Sequence, residues 1–186
     1  MKHDKEPVTA ARHLDLKALA LSGGDVSGHE SLSKFERIMQ ETRGLGGDSV
    51  VNWSAHGEMR PGASGEDQVW LSLTAGAIVP LICQRCMGSV DVALSVDRQF
   101  RFVSDEKTAE AEDDESEEDV LVLARDFDLP ALVEDELLME LPLIPRHETC
   151  PQSVKLEALD ADFDSVTPEK PNPFAVLAKM QIGKPS

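Results

Sequence analysis

Tyrosine is missing from this chain, tryptophan occurs twice, and aromatic residues make up 4% of its 186 positions. Single-stranded nucleic acid is commonly gripped by aromatic platforms on strand faces. The six phenylalanines read mostly as buried, so generic RNA binding by stacking has little support. Cysteine is sparse as well: three residues, an odd count, do not make the framework of a secreted disulfide scaffold. No apolar run approaches the ~20 residues of a membrane span, and the first residues lack the charged, apolar and cleavage regions of a signal peptide. A cytoplasmic protein is therefore expected, its thiols reduced or on metal. Bases are scarce, with 18 Lys and Arg against 35 Asp and Glu and a formal charge of −17. Such a surface repels phosphate backbones and attracts basic proteins. There is no phosphate-cradling glycine loop and no convincing Ser-His-Asp or Cys-His-Asn order among the five histidines. No enzyme is expected.

The hydrophobic pattern predicts a single α+β domain over residues 14–150, after a flexible N-terminus at 1–13. His13 to Leu21 alternates and reads as a first strand, and Gly23, Gly24 and Gly28 then break regular structure. Ser33 and Glu36 fit a capping box opening a helix with Phe35, Ile38, Met39 and Thr42 on one face. Three period-2 runs follow: Val51 to Met59, Val69 to Leu81, and Val90 to Phe102. Ten acids against one base crowd residues 105–119, so 104–118 reads as a disordered acidic loop. Val120 to Ala124 is a further strand. Asp128 and Pro130 start a helix that turns Leu132, Val133, Leu137, Leu138 and Leu141 inward and Glu134, Asp135, Glu136 and Glu140 outward, up to Pro142. Residues 151–186 read as a polar linker and a last helix, Phe174 to Met180, packing on the domain. The expected fold is a mainly antiparallel, strongly bent sheet or partial β-barrel, with one N-terminal and two C-terminal helices.

Cys83 and Cys86 form a CxxC at the tip of the hairpin between the second and third of these runs. Far along the chain, His147 and Cys150 form an HxxC stiffened by Pro142 and Pro145. Three thiolates and one imidazole are a ligand set for one closed, structural zinc site, with no position left for a catalytic water. Two other readings stand beside it: small apolar thiols that merely pack, and redox chemistry. The second is weakened because thioredoxin-like motifs open a helix, whereas this one precedes a strand. Arg85, Arg98, Arg101 and Arg146 lie near the cysteines in sequence or in the strand that follows. They are candidate RNA-phosphate contacts, or else cations that are solvated or paired with neighbouring acids.

Three stretches also resemble a known family: VPLICQRC at Val79–Cys86, LVEDELL at Leu132–Leu138 running into LPLIPRH at Leu141–His147, and KPNPFAVL at Lys170–Leu177. In this order they are similar to the YceD family, the large ribosomal RNA subunit accumulation proteins of bacteria and plastids. The resemblance implies a cytoplasmic, non-enzymatic factor for large-subunit rRNA accumulation and large ribosomal subunit biogenesis. It implies metal binding at the matching cysteines and brings no catalytic residue. Two modes of action follow. Either rRNA is contacted through the arginines beside the metal loops, or the acidic body serves as an adaptor or chaperone for a basic ribosomal protein or assembly factor and affects rRNA indirectly. The overall charge favours the second. No membrane and no small-molecule substrate are expected as partners.

Overall fold

The computed structural model describes residues 11–62, 65–113 and 116–152. The chain divides into two compact units, Met1–Gln152 and Ser153–Ser186. The linker and last helix expected at 151–186 lie almost wholly outside the described residues, as does most of the N-terminus expected to be flexible.

Five strands make one open sheet in the order β1 (Asp25–Ser31), β2 (Val50–Pro61), β3 (Asp67–Ile82), β4 (Ser89–Val103) and β5 (Asp119–Val122). Neighbours are antiparallel except β4 and β5, which run parallel. The alternating runs over β2, β3 and β4 bury Val51, Trp53, Ala55, Val69, Leu71, Leu73, Val79, Leu94, Val96 and Phe100 on one face. Each large aliphatic side chain so buried contributes roughly 1.5–3 kcal/mol. The helices α1 (Leu16–Ser22), α2 (Glu36–Glu41) and α4 (Leu129–Met139) close this face with Leu16, Ala20, Ile38, Leu129, Val133 and Leu137. The other face is largely open, with Val50 at 49% and Ile78 at 58% exposure. Among the described residues, α3 (Glu106–Asp113) is the helix that lies against it, through a small cluster of Val103, Ala109 and Val120. Among the described residues no helix is long and apolar enough to cross a membrane.

The N-terminal third departs from expectation. The stretch His13 to Leu21 contains a helix, not a strand. Asp15 caps it by accepting from the Ala18 amide at 2.9 Å, and Gly23, at φ 58°, closes it by donating to Ala20 and Leu19. Leucine, alanine and lysine are good helix formers, and a four-residue spacing buries Leu16 and Ala20 while leaving Leu21 66% exposed. The first strand falls instead on the glycine-punctuated stretch. Gly28 lies opposite Trp53, and a Cβ there would stand 2.5 Å from the indole, so glycine is what lets the ring lie flat across β1.

The capping box is also replaced. Phe35, not Ser33, precedes α2 and supplies no side-chain cap. The cap comes from another helix: Glu134 accepts from the Arg37 amide at 2.7 Å and from the Ile38 amide at 3.3 Å. A carboxylate at that end also meets the positive pole of the short helix. Among the described residues the N-terminal region thus holds α1 and α2 where one helix was expected, and Glu134 is a tie between α2 and α4 instead of a solvated residue.

The acidic segment, expected to be a disordered loop, includes the eight-residue helix α3. Arg101 is what holds it. The guanidinium, in a residue only 7% exposed, donates to Glu112, to Glu118 at 2.7 Å and to Ser116 at 2.7 Å. A buried cation needs such partners, and the acids supply them.

Glu136, expected on the wet side of α4, is 6% exposed and faces Arg98 at 3.6 Å. Burial raises its carboxyl above the ordinary range, and Arg98 only partly opposes this. A carboxylate with a raised native pKa favours the folded state most at low pH, and that contribution is lost as pH rises through the raised value. Glu136→Gln is therefore expected to melt higher than wild type at pH 7, with the advantage shrinking as pH falls below the raised pKa. Paired thermal melts from pH 4 to 8 check this, and a pH-independent difference would count against it.

Candidate metal centre

The long β3–β4 hairpin delivers Cys83 and Cys86 to one end of the sheet. Its turn is tight: the Cys83 amide donates to Gly88 O at 2.8 Å, and the Met87 amide donates to Cys83 O at 2.9 Å with Met87 at φ 61°. After α4, the Leu141–Pro145 segment carries the chain to the same end. There the Gln84 amide donates to Pro145 O at 2.9 Å, stitching the two loops by their backbones.

The result is a four-residue cluster. The ligand atoms of Cys83, Cys86, His147 and Cys150 all lie within 4.8 Å of one another. Cys83 Sγ is 3.9 Å from Cys150 Sγ, and Cys86 Sγ is 3.4 Å from His147 Nδ1. A disulfide would require about 2.05 Å between sulfurs, and all three thiols are free. A tetrahedral zinc with Zn–S of ~2.3 Å and Zn–N of ~2.0 Å sets sulfur–sulfur edges of about 3.8 Å and sulfur–nitrogen edges of about 3.5 Å. The two separations match those edges, and the donor set fits a closed site. Burial pushes the Cys83 thiol up, but the amides of Cys86, His147 and Arg85 more than offset it and bring it down to about 5. The Gly88 amide pulls Cys86 down, yet burial and its neighbours Cys150 and Cys83 leave it raised. A bound dication relieves this conflict by letting every thiol ionise. The cluster can therefore hold one metal ion.

The four arginines named as RNA contacts do not form one surface. Arg85, although exposed, lies along the second loop, with Nε 3.0 Å from Cys150 Sγ and Nη2 donating to His147 O at 2.9 Å and Glu148 O at 3.1 Å. Arg98 faces Glu136 at 3.6 Å while remaining partly exposed, and Arg101 is buried under the acidic segment. That placement corrects the expectation for Arg101 most firmly, because its donors are satisfied and little of it meets solvent. Arg146 is exposed, with no ion pair among the described residues. Conversely, an aromatic does sit on the open strand face: Trp70 is half-buried, with the Arg60 guanidinium 4.3 Å from its ring centre. Its place in the strand's alternation, out of phase with Val69 and Leu71, was the available signal.

Comparison with known proteins agrees with the motifs. The family model described as large ribosomal RNA subunit accumulation protein YceD matches residues 71–181. A protein of Haemophilus influenzae bearing that same description is 27% identical over 161 residues, covering 84% of this chain and 87% of the relative. No solved structure matches the chain. With most of β3, the CxxC turn, α4 and the HxxC loop inside the matched span, the chain belongs to the YceD family of large ribosomal RNA subunit accumulation proteins.

Proposed function

We propose that this chain supports large-subunit ribosomal RNA accumulation as a non-enzymatic factor, acting through a basic protein of large-subunit assembly instead of gripping RNA itself. Family membership supports the general role. The carrying observation for the mode of action is that the candidate cations are already engaged within the chain: Arg101 is buried on Glu112 and Glu118, Arg85 bonds to the His147–Cys150 loop, and Arg98 faces Glu136. Meanwhile Asp105, Glu106, Glu110, Asp113, Glu117 and Asp119 remain exposed on and around α3. Ordered carboxylates on a chain of charge −17 steer basic partners and repel phosphate. The Cys83, Cys86, His147 and Cys150 cluster would hold one structural zinc ion, which supplies a crosslink between the hairpin tip and the segment after α4 and offers no open position for chemistry.

Capture from lysate by the full chain, with and without nuclease, tests the mode of action. Basic ribosomal or assembly proteins should survive nuclease and be lost when the exposed acids of α3 are changed to Gln and Asn. Partners that vanish with nuclease would overturn the adaptor reading. They would favour direct contact, for which the Trp70–Arg60 pair and Arg146 are the available surface, and Trp70→Ala would then weaken RNA binding.

A further inference from the structure

We propose that Arg85 is a positioning residue of the metal centre, a charged crosslink that fixes the Cys150 loop in ligating geometry and balances the charge of the site. The inference rests on the zinc reading above. Arg85 sits between the two cysteines of the CxxC, so the turn that presents two thiolates also presents this guanidinium. Its Nε lies 3.0 Å from Cys150 Sγ, and its Nη2 reaches the carbonyls of His147 at 2.9 Å and Glu148 at 3.1 Å. One planar group therefore touches the sulfur of one second-loop ligand and the backbone of the other.

The geometry and the charge count agree. Three thiolates and a neutral imidazole around a dication leave one net negative charge, and the adjacent guanidinium cancels it. The two loops come from distant parts of the chain. Besides the Gln84 amide to Pro145, the contacts of Arg85 are what join them outside the ligands themselves. His147, Glu148 and Cys150 have no regular backbone pairing of their own, so their carbonyls and sulfur are held by this side chain. Lysine is a poor substitute, since one ammonium point charge cannot span a sulfur and two carbonyls in the fixed fork of a guanidinium. With three of its bonds made to the second loop, Arg85 has fewer donors left for a phosphate.

Zinc transfer from the full chain to a chromophoric chelator tests the proposal. Wild type should hold one zinc per chain. Arg85→Ala and Arg85→Lys should bind zinc at saturation but with affinity lowered about 10–100-fold, as is typical when an outer partner of a metal ligand is lost. Arg146→Ala should behave as wild type. Two readouts separate positioning from general weakening: the thiolate-to-metal absorption of the cobalt-substituted protein should shift, and alkylation should accelerate at Cys150 more than at Cys83. Wild type without zinc would defeat the zinc reading itself. Wild type with zinc, and Arg85 variants with unchanged affinity, spectrum and Cys150 reactivity, would overturn the role of Arg85 alone. If Arg85→Ala does not fold, Arg85→Lys decides by the same criteria.

Discussion

Stripping metal from the purified chain should lower its melting temperature by about 8–16 °C. A ligand bound only by the folded state stabilises it by about 4 kcal/mol when free ligand stands near a thousand times its dissociation constant. For a unit of about 150 residues, each kcal/mol moves the midpoint by roughly 2–4 °C. The loss should concentrate where the metal would crosslink distant segments, the β3–β4 turn and residues 145–150, whose other ties include the Gln84–Pro145 hydrogen bond, the His147 amide to the Cys83 sulfur and the contacts of Arg85. Hydrogen exchange before and after chelation should show protection lost there first, with the β2–β3–β4 core following only near the melt. Cys83→Ser should begin from the lower melting temperature and respond little to chelator. Of the four ligands Cys83 is the fully buried one, at 0% exposure, so its replacement also disturbs packing. Identical melts with and without chelator, in protein shown to contain zinc beforehand, would rule out a stabilising metal.

Arg101→Ala should cost about 2 kcal/mol and free α3 from the sheet. Removing one partner of a fully buried ion pair costs roughly 3–5 kcal/mol because the other charge is left stranded. Here the arginine side chain is 8% exposed but Glu112 is 43% and Glu118 22% exposed, so the carboxylates recover part of their hydration and the cost is smaller. What remains to hold α3 is the small cluster of Val103, Ala109 and Val120 with Val122 beside it, and the Val120 amide donating to Asp113 Oδ1 at 3.1 Å. Amide exchange should accelerate across Glu106–Asp113 and β5 while the main core stays protected. Arg101→Lys should not restore protection, because one ammonium cannot serve Glu112, Ser116 and Glu118 together. Arg98→Ala makes the contrast: its side chain is 44% exposed and its partner Glu136 is already held in an environment that disfavours the carboxylate, so little stability should be lost. If Arg101→Ala leaves exchange in α3 unchanged, the helix is held by something other than this cation.

The acidic segment shows where local composition misleads. Ten acids in fifteen residues predict repulsion and disorder when only neighbours along the chain are counted. The deciding charge, Arg101, lies before the segment on a different element and becomes its partner only once β4 and β5 pair in parallel. The same holds for Glu134. Its spacing on α4 marks it as solvent-facing, but α2 packs alongside and two orphan amides capture it. The error at His13–Leu21 has a different origin. An alternating pattern in nine residues is compatible with strand or helix, and the helix formers with Asp15 and Gly23 at the ends outweighed the alternation.

What the sequence by itself determined is the middle of the fold and the four candidate ligand residues. Strict alternation over β2, β3 and β4 can bury only one face, so the strands, their antiparallel order and the position of Cys83 and Cys86 at a hairpin tip follow from local pattern. The pairing of a CxxC with a distant HxxC follows from the coordination chemistry of thiolate and imidazole. Tertiary structure alone decided the use of the charged residues. Whether an arginine meets a phosphate, a carboxylate or a thiolate depends on what packs within a few ångströms of it, and periodicity carries no information about that. Arg85 stands between two cysteines in the chain, yet its guanidinium bonds to the sulfur and carbonyls of a loop sixty residues away.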